Sequence, residues 1–201
     1  MRLPAKLILL AGAATAVAIA AYPLLPPGKQ ANHNAESITN ELCIVAPATP
    51  YDPSSGLAML VPKSIPADAR CPVCGMYPAR APHWAAQTVF RDGASHFFDS
   101  PIDLFAFLHR TDRTNKLYAP ADIAVSYATD FETGQWIEAH HTFFVQGSSA
   151  LGPMRDADLP AFSTRKSADD FARNRGGKVL VYKQVTPELI QSMNRNTHHH
   201  P

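Results

Sequence analysis

The chain is poor in cysteine, in net charge and in long apolar runs. Three Cys in 201 residues are too few for the disulfide framework of a small coreless secreted scaffold. Its 18 Lys and Arg stand against 17 Asp and Glu, a formal net charge of +1, so no basic face is offered to nucleic acid. There is no GxSxG, no HExxH and no phosphate-cradling glycine loop. The serines at 148–149 have no evident histidine and acid partners. These absences argue against an enzyme. What is present is a hydrophobic content of 46%, which excludes wholesale disorder and suffices for one or two small domains with real cores.

The one long apolar run lies at the start. Leu7–Leu25, "LILLAGAATAVAIAAYPLL", is free of charge and preceded by Arg2 and Lys6. Its length is about the minimum that crosses a bilayer, and the preceding positive charge predicts that the rest of the chain faces outward. Ala18-Ile19-Ala20 has the form of a cleavage signal. Residues 7–25 are therefore expected either to anchor the chain to the inner membrane or to be removed near Ala20. The first cysteine, Cys43, lies too far downstream for lipid attachment directly after the run. Either outcome places the working part in an oxidising compartment, in a bacterium the periplasm. Residues 26–68 are polar and proline-rich, with Pro at 47, 50, 53, 62 and 66, and predict an extended linker.

From Arg70 the pattern becomes periodic. Residues 84–90 and 94–98 read as strands joined by the turn signal Arg91-Asp92-Gly93. Ser100 and Pro101 open a helix, with Ser100 as cap and Pro101 at the first helical position, and a strand follows at 123–127. Residues 136–146 read as one strand. A short strand near Phe162 precedes a helix capped by Thr164 and stopped by Gly176-Gly177, and 178–182 is again a strand. A short helix opens at Thr186-Pro187-Glu188, and a tail over 191–201 ends in "NTHHHP". The order strand–strand–helix–strand occurs twice. The expected fold is α+β, two similar ββαβ units at about 80–128 and 134–183 within a domain spanning 69–190.

The chemistry concentrates in "RCPVCGMYPAR" (70–80). Cys71 and Cys74 form a CxxC. A structural zinc site wants a second pair of ligands, and His140-His141, adjacent on a strand, would point to opposite faces. A redox pair or a plain disulfide remains open, although Gly75 and Pro78 oppose the helix that follows a thioredoxin-like motif. The shorter spacing is more informative. In an extended segment Cys74 and Met76 face the same side, one thiol and one thioether, a soft set that selects Cu(I) over harder ions. Met154, in a loop marked by Gly152-Pro153, is the candidate third ligand. Met59 and Met193 are weaker. Cys71, His83 and His96 form a second tier, Cys71 as ligand, pKa modulator or disulfide partner. His140, His141 and the terminal histidines stand lower. Trp84, Phe90, Phe97, Phe98, Phe105 and Phe143 are expected in the core, and Asp99 and Asp103 as helix-capping residues.

"CPVCGMYPARAPHWAAQTVFRDGASHFFDSPIDLFAFL" followed by "FVQGSSALGPMRDADLPAFSTRKSADDFARNRGGKVLVYKQVT" resembles the NosL family over roughly residues 69–186. The motifs that carry the likeness are C-G-M before a hydrophobic hairpin, F-F-D-S-P, G-P-M and a closing G-G-K strand. That family comprises accessory proteins of nitrous oxide reductase that look like periplasmic Cu(I) chaperones. The resemblance implies a fold of two ββαβ units similar to an organomercurial lyase, and Cu(I) ligands at Cys74, Met76 and Met154. It further implies a copper-enzyme client, nitrous oxide reductase among them, and supply from a copper exporter. Many members are lipoproteins; this chain has an apolar run and tether in place of the lipidated cysteine. The alternatives are a CxxC thiol–disulfide or disulfide-stabilised accessory protein and, more remotely, a lyase-like enzyme. The latter needs two cysteines and an acid converging on a carbon–mercury bond.

Overall fold

In the computed structural model, residues 46–109, 118 and 120–196 are described. The apolar run 7–25, the first part of the linker, Cys43 and the terminal histidines lie outside the described residues.

Strands β1 (Ala86–Phe90) and β2 (Ser95–Phe98) form the expected hairpin. Its turn needs Gly93 twice over. The backbone has φ 82°, and a Cβ there would stand 2.6 Å from Met59 Cγ and 2.8 Å from Tyr51 Cβ. Every residue of both strands is buried, so the pair reads as a continuous buried run rather than a strict alternation. Part of what covers it is the expected linker. Thr49 forms a backbone bridge with Ser95. Lys63 exchanges two hydrogen bonds with the Gln87 side chain: its N–H donates at 3.0 Å and its carbonyl accepts at 3.1 Å. Residues 49–63 are thus pinned to the hairpin. The buried Gln87 amide satisfies both its oxygen and its nitrogen on Lys63, as a buried polar group must.

β1 also pairs with β3 (Ile123–Thr129), and β3 with β4 (Trp136–Glu138), giving an antiparallel sheet in the order β2-β1-β3-β4. The expected single strand 136–146 is broken. A 3-10 turn at Ala139–His141 separates β4 from β5 (Phe143–Gln146), which belongs to the second sheet. Ala139 is fully buried, and the Thr142 hydroxyl donates to the Glu138 carbonyl at 2.9 Å. The corner is therefore set by packing, which the apolar run of letters does not reveal. β5 pairs with β6 (Ala161–Phe162) and β7 (Lys178–Val181) in the order β6-β5-β7, again antiparallel.

Among the described residues, three α-helices pack with the sheets. Helix α1 (Pro101–Leu108) is apolar nearly all round, the signature of a helix buried on several sides. Ile102 and Phe105 join a core with Phe144, Leu159 and Leu180 of the second half. Leu104 and Phe107 join one with Cys71, Phe90 and Phe98 of the first. Burying Phe98 or Phe105 contributes about 2 kcal/mol each relative to exposure. Helix α2 (Arg165–Arg175) is amphipathic and buries Ala168 and Phe171. The Thr164 hydroxyl accepts from Ser167 N–H at 3.0 Å, and Gly176, φ 76°, ends the helix. Helix α3 (Pro187–Asn196) sets Ile190 and Met193 into the same core as Ile102 and Phe105.

Candidate metal centre

The segment 71–76 closes on itself. Cys71 N–H donates to Met76 O at 2.8 Å, and Gly75 N–H donates to Cys71 O at 2.9 Å. Gly75 has φ 76° with open space around it, so the turn's dihedral, not crowding, requires glycine. Outside the loop, the Tyr77 ring lies between the guanidinium carbons of Arg70 and Arg80, 4.2 and 4.4 Å from its centre. Arg70 Nη1 also donates to Gly75 O at 3.2 Å. Cys71, 1% exposed, points into the first core, while Cys74 is half-buried; both are free thiols.

Across from the thiols stand Asp99 and Asp103, one helical turn apart at the start of α1. Cys74 Sγ donates to Asp99 Oδ1 at 3.0 Å, and Cys71 Sγ is hydrogen-bonded to Asp103 Oδ2 at 3.3 Å. One ligand atom from each of these four residues falls within 4.8 Å of all the others. Both carboxylates are buried, and Asp99 Oδ2 has no hydrogen-bond partner. Burial, reinforced by the neighbouring Cys71 and Asp99, pushes the Asp103 carboxyl up to about 10. The contact with Cys71 and then burial push the Cys74 thiol far above its ordinary value. Burial opposes ionisation of Cys71 too, but the adjoining Cys74 side chain and backbone outweigh that and hold its thiol below its ordinary value. The cluster thus retains protons that a cation would displace.

Met154 arrives from the other half of the molecule. It sits in the loop 151–157, closed by a Leu151–Ala157 bridge and by Gly152 N–H donating to Asp156 O at 2.8 Å. A cleft of about 610 Å³ separates this loop from the cysteine loop, and Cys74, Asp99, Asp103, Met154 and Asp158 are among its walls. Met154 is 55% exposed. Met76, 38% exposed, lies beside the cleft and is not part of its lining.

The structure brings neither second-tier histidine to this cluster. His83 Nδ1 is 3.0 Å from Phe131 O, and its ring lies against Gly134. His96, buried on β2, is enclosed by Phe90, Phe107 and Tyr118 with neither ring nitrogen partnered, and burial lowers its pKa to about 4. Closeness to the motif in sequence did not become a shared site, because His83 is held at the 131–134 turn and His96 is packed among aromatic rings. His140 stacks on Tyr182, ring centres 4.0 Å apart, and exposed His141 lies 3.9 Å from Glu138.

Asp99 and Asp103 correct the capping expectation. Cap position belongs to Ser100, whose side chain makes no capping bond to the helix, and both acids face the thiols. A signal existed: two carboxylates, one just before the cap and one in the first turn, at the head of an otherwise apolar segment. Asp158 was not singled out either. It is buried, and burial raises its carboxyl to about 7.

The NosL family model matches residues 62–190 of this chain. Two relatives carry the description copper-binding lipoprotein NosL. That of Stutzerimonas stutzeri is 30% identical over 123 residues, covering 60% of this chain and 64% of the relative. That of Achromobacter cycloclastes is 27% identical over 143 residues, covering 65% and 70%. The match thus spans slightly under two thirds of the first relative's length. Those descriptions name a copper-binding protein, not an enzyme. The crystal structure of the copper chaperone NosL from Shewanella denitrificans superposes with a TM-score of 0.52 at 24% identity, over 64% of this chain and 97% of that one. At that identity the likeness is one of fold, a mixed α/β architecture with antiparallel sheets.

Proposed function

Because this chain belongs to the NosL family, its model matching residues 62–190, we propose that it is an exported copper chaperone that carries one Cu(I) as cargo. The observation that carries this reading is the cleft itself: a thiol from one half, Cys74, and a thioether from the other, Met154, face the same space. Soft sulfur donors of this kind select Cu(I). Met76, exposed two residues from Cys74, supplies the third donor. On loading, the Cys74 thiol, hydrogen-bonded to Asp99 Oδ1 at 3.0 Å, loses its proton to solvent and the thiolate binds the metal. The thioethers need no deprotonation. Three ligands leave an open position, and the exposure of Met154 and Met76 lets a client ligand approach there, so transfer proceeds by exchange. The element order β1-β2-α1-β3 followed by β5-β6-α2-β7 supports two ββαβ units of organomercurial-lyase type within a domain over 69–190. Delivery to nitrous oxide reductase, supply by a copper exporter and a periplasmic position set by residues 7–25 complete the proposal.

Titration of the full chain with Cu(I) under reducing conditions, in competition with a chromogenic chelator, tests it. One tightly bound Cu(I) is expected, lost in Cys74→Ala and weakened in Met154→Ala. Tight one-to-one Zn(II) binding that is indifferent to the methionines overturns it. The second reading, thiol–disulfide chemistry, is favoured by the proximity of the Cys71 and Cys74 sulfurs. Disulfide exchange depending equally on both would establish it. The carbon–mercury reading asked for two cysteines and an acid at one point. Cys71, Cys74 and Asp99 do converge, but Cys71, 1% exposed, offers a substrate no surface.

A further inference from the structure

Nothing in the sequence relates the Met154 loop to the start of α1, yet the two meet at one side chain. Asp158 follows the loop and is 7% exposed. Its Oδ1 accepts from Ile102 N–H at 3.3 Å and from its neighbour Leu159 N–H at 2.7 Å. It therefore performs, from the second half of the molecule, the capping that the Ser100 side chain does not perform for its own helix. The same carboxylate fills the space under the loop. A Cβ at Gly152 would come within 2.5 Å of Asp158 Oδ2 and 2.9 Å of its Cβ, so the loop backbone rests directly on it. Above Gly152 the loop is closed by Arg155 N–H donating to Gly152 O at 2.9 Å, and Met154 lies within that closure. On the other side, Asp99 immediately precedes Ser100 and holds Cys74.

We infer that Asp158 is a positioning residue of the metal centre: joined to α1 by hydrogen bonds and to the Gly152-Pro153-Met154 turn by contact, it sets the distance across which the Met154 thioether and the Cys74 thiol share one ion. The inference rests on the ligand reading above. Asp158 contributes no ligand atom in this role. It fixes where the second sulfur stands relative to the first, as partners of metal ligands do elsewhere, where their loss costs about 10- to 100-fold in affinity. Gly152 is its counterpart, because only a residue without a side chain lets the turn sit on the carboxylate.

The test uses the full chain loaded with Cu(I), with the number of sulfur ligands read by X-ray absorption and affinity by chelator competition. Met154→Ala, Asp158→Ala, Gly152→Ala and the double variant Asp158→Ala/Met154→Ala are compared. Asp158→Ala and Gly152→Ala are each expected to lose one sulfur and about tenfold or more in affinity, as Met154→Ala does, and the double variant to be no weaker than Met154→Ala alone. Asp158→Asn, which keeps an acceptor oxygen for Ile102 and Leu159, should restore the sulfur count; a merely structural loss would leave that count unchanged. If Asp158→Ala does not fold, Gly152→Ala, which perturbs the same contact from the loop side, decides. Full sulfur count and affinity in Gly152→Ala and Asp158→Ala, while Met154→Ala loses both, overturns the inference alone. Wild-type behaviour of Met154→Ala overturns the ligand reading and this inference with it.

Discussion

The two walls of the cleft differ in kind. The cysteine wall is dense: a loop closed by two backbone hydrogen bonds, a thiol buried in the core, and two buried carboxylates, Asp99 just before the α1 cap and Asp103 in its first turn. The methionine wall is a loop with an exposed thioether and a single buried support. The contrast follows from the donors. A thiol must lose a proton before it binds a metal, and the contact with Cys71 and burial on this wall keep that proton on Cys74 until a cation can replace it. A thioether carries no proton and needs only position. On the proposed reading, one wall exchanges a proton for the ion and the other only has to reach it.

The sharpest way to break this contrast is to remove what joins the walls. Phe105 of α1 meets Phe144 and Tyr182 with ring centres 5.1 and 5.2 Å apart. Phe105→Ala should cost about 3–5 kcal/mol, measured by urea unfolding, and loosen both walls in one transition. A separate loss of the second half would show that α1 does not unite them. Next in size is the pH response of the wall that carries α1. His96 is held neutral, with its pKa at about 4 against an ordinary 6.5. The unfolded chain takes up a proton below pH 6.5 while the folded one does not, so the His96 contribution is intact above pH 6.5 and lost as pH falls towards 4. At about 1.4 kcal/mol per unit this amounts to about 3 kcal/mol. Unfolding of the wild type at pH 7 and pH 4 should differ from that of His96→Phe by this increment; equal slopes would sink the assignment.

Smaller effects sharpen the comparison. Met76→Ala should weaken Cu(I) binding less than Met154→Ala, by under about tenfold, equivalent to 1.4 kcal/mol, because Met76 stands outside the cleft lining. The reverse order, by chelator competition, would move the site to the outer face of the cysteine loop. Smallest of all, Thr164→Ala removes the α2 cap and should cost about 1 kcal/mol of stability with Cu(I) affinity unchanged. A change in affinity would mean that α2 communicates with the Met154 loop.

Features written in adjacent residues were legible. Arg91-Asp92-Gly93 makes the hairpin, Pro101 starts a helix, and Thr164 and Gly176 bound another. The thiol and thioethers were legible as chemistry, since sulfur types and their spacing can be read from letters alone. Features that depend on distant packing were not. The corner at Ala139–His141 lies inside a run whose letters continue as a strand. Asp99 and Asp103 looked like ordinary helix-start acids until burial set them against the thiols. His83 and His96 looked close to the motif because sequence distance says nothing of direction.

By itself, then, the sequence determined most local elements, the candidate soft donors and the family, because turn dihedrals, caps and ligand softness belong to individual residues and their immediate neighbours. Only the tertiary structure decided which donors meet. It placed Met154 across from Cys74, turned two buried carboxylates towards the thiols, and put Asp158 between the loop and the helix, since burial and approach arise only when residues far apart in the chain exclude water from one another.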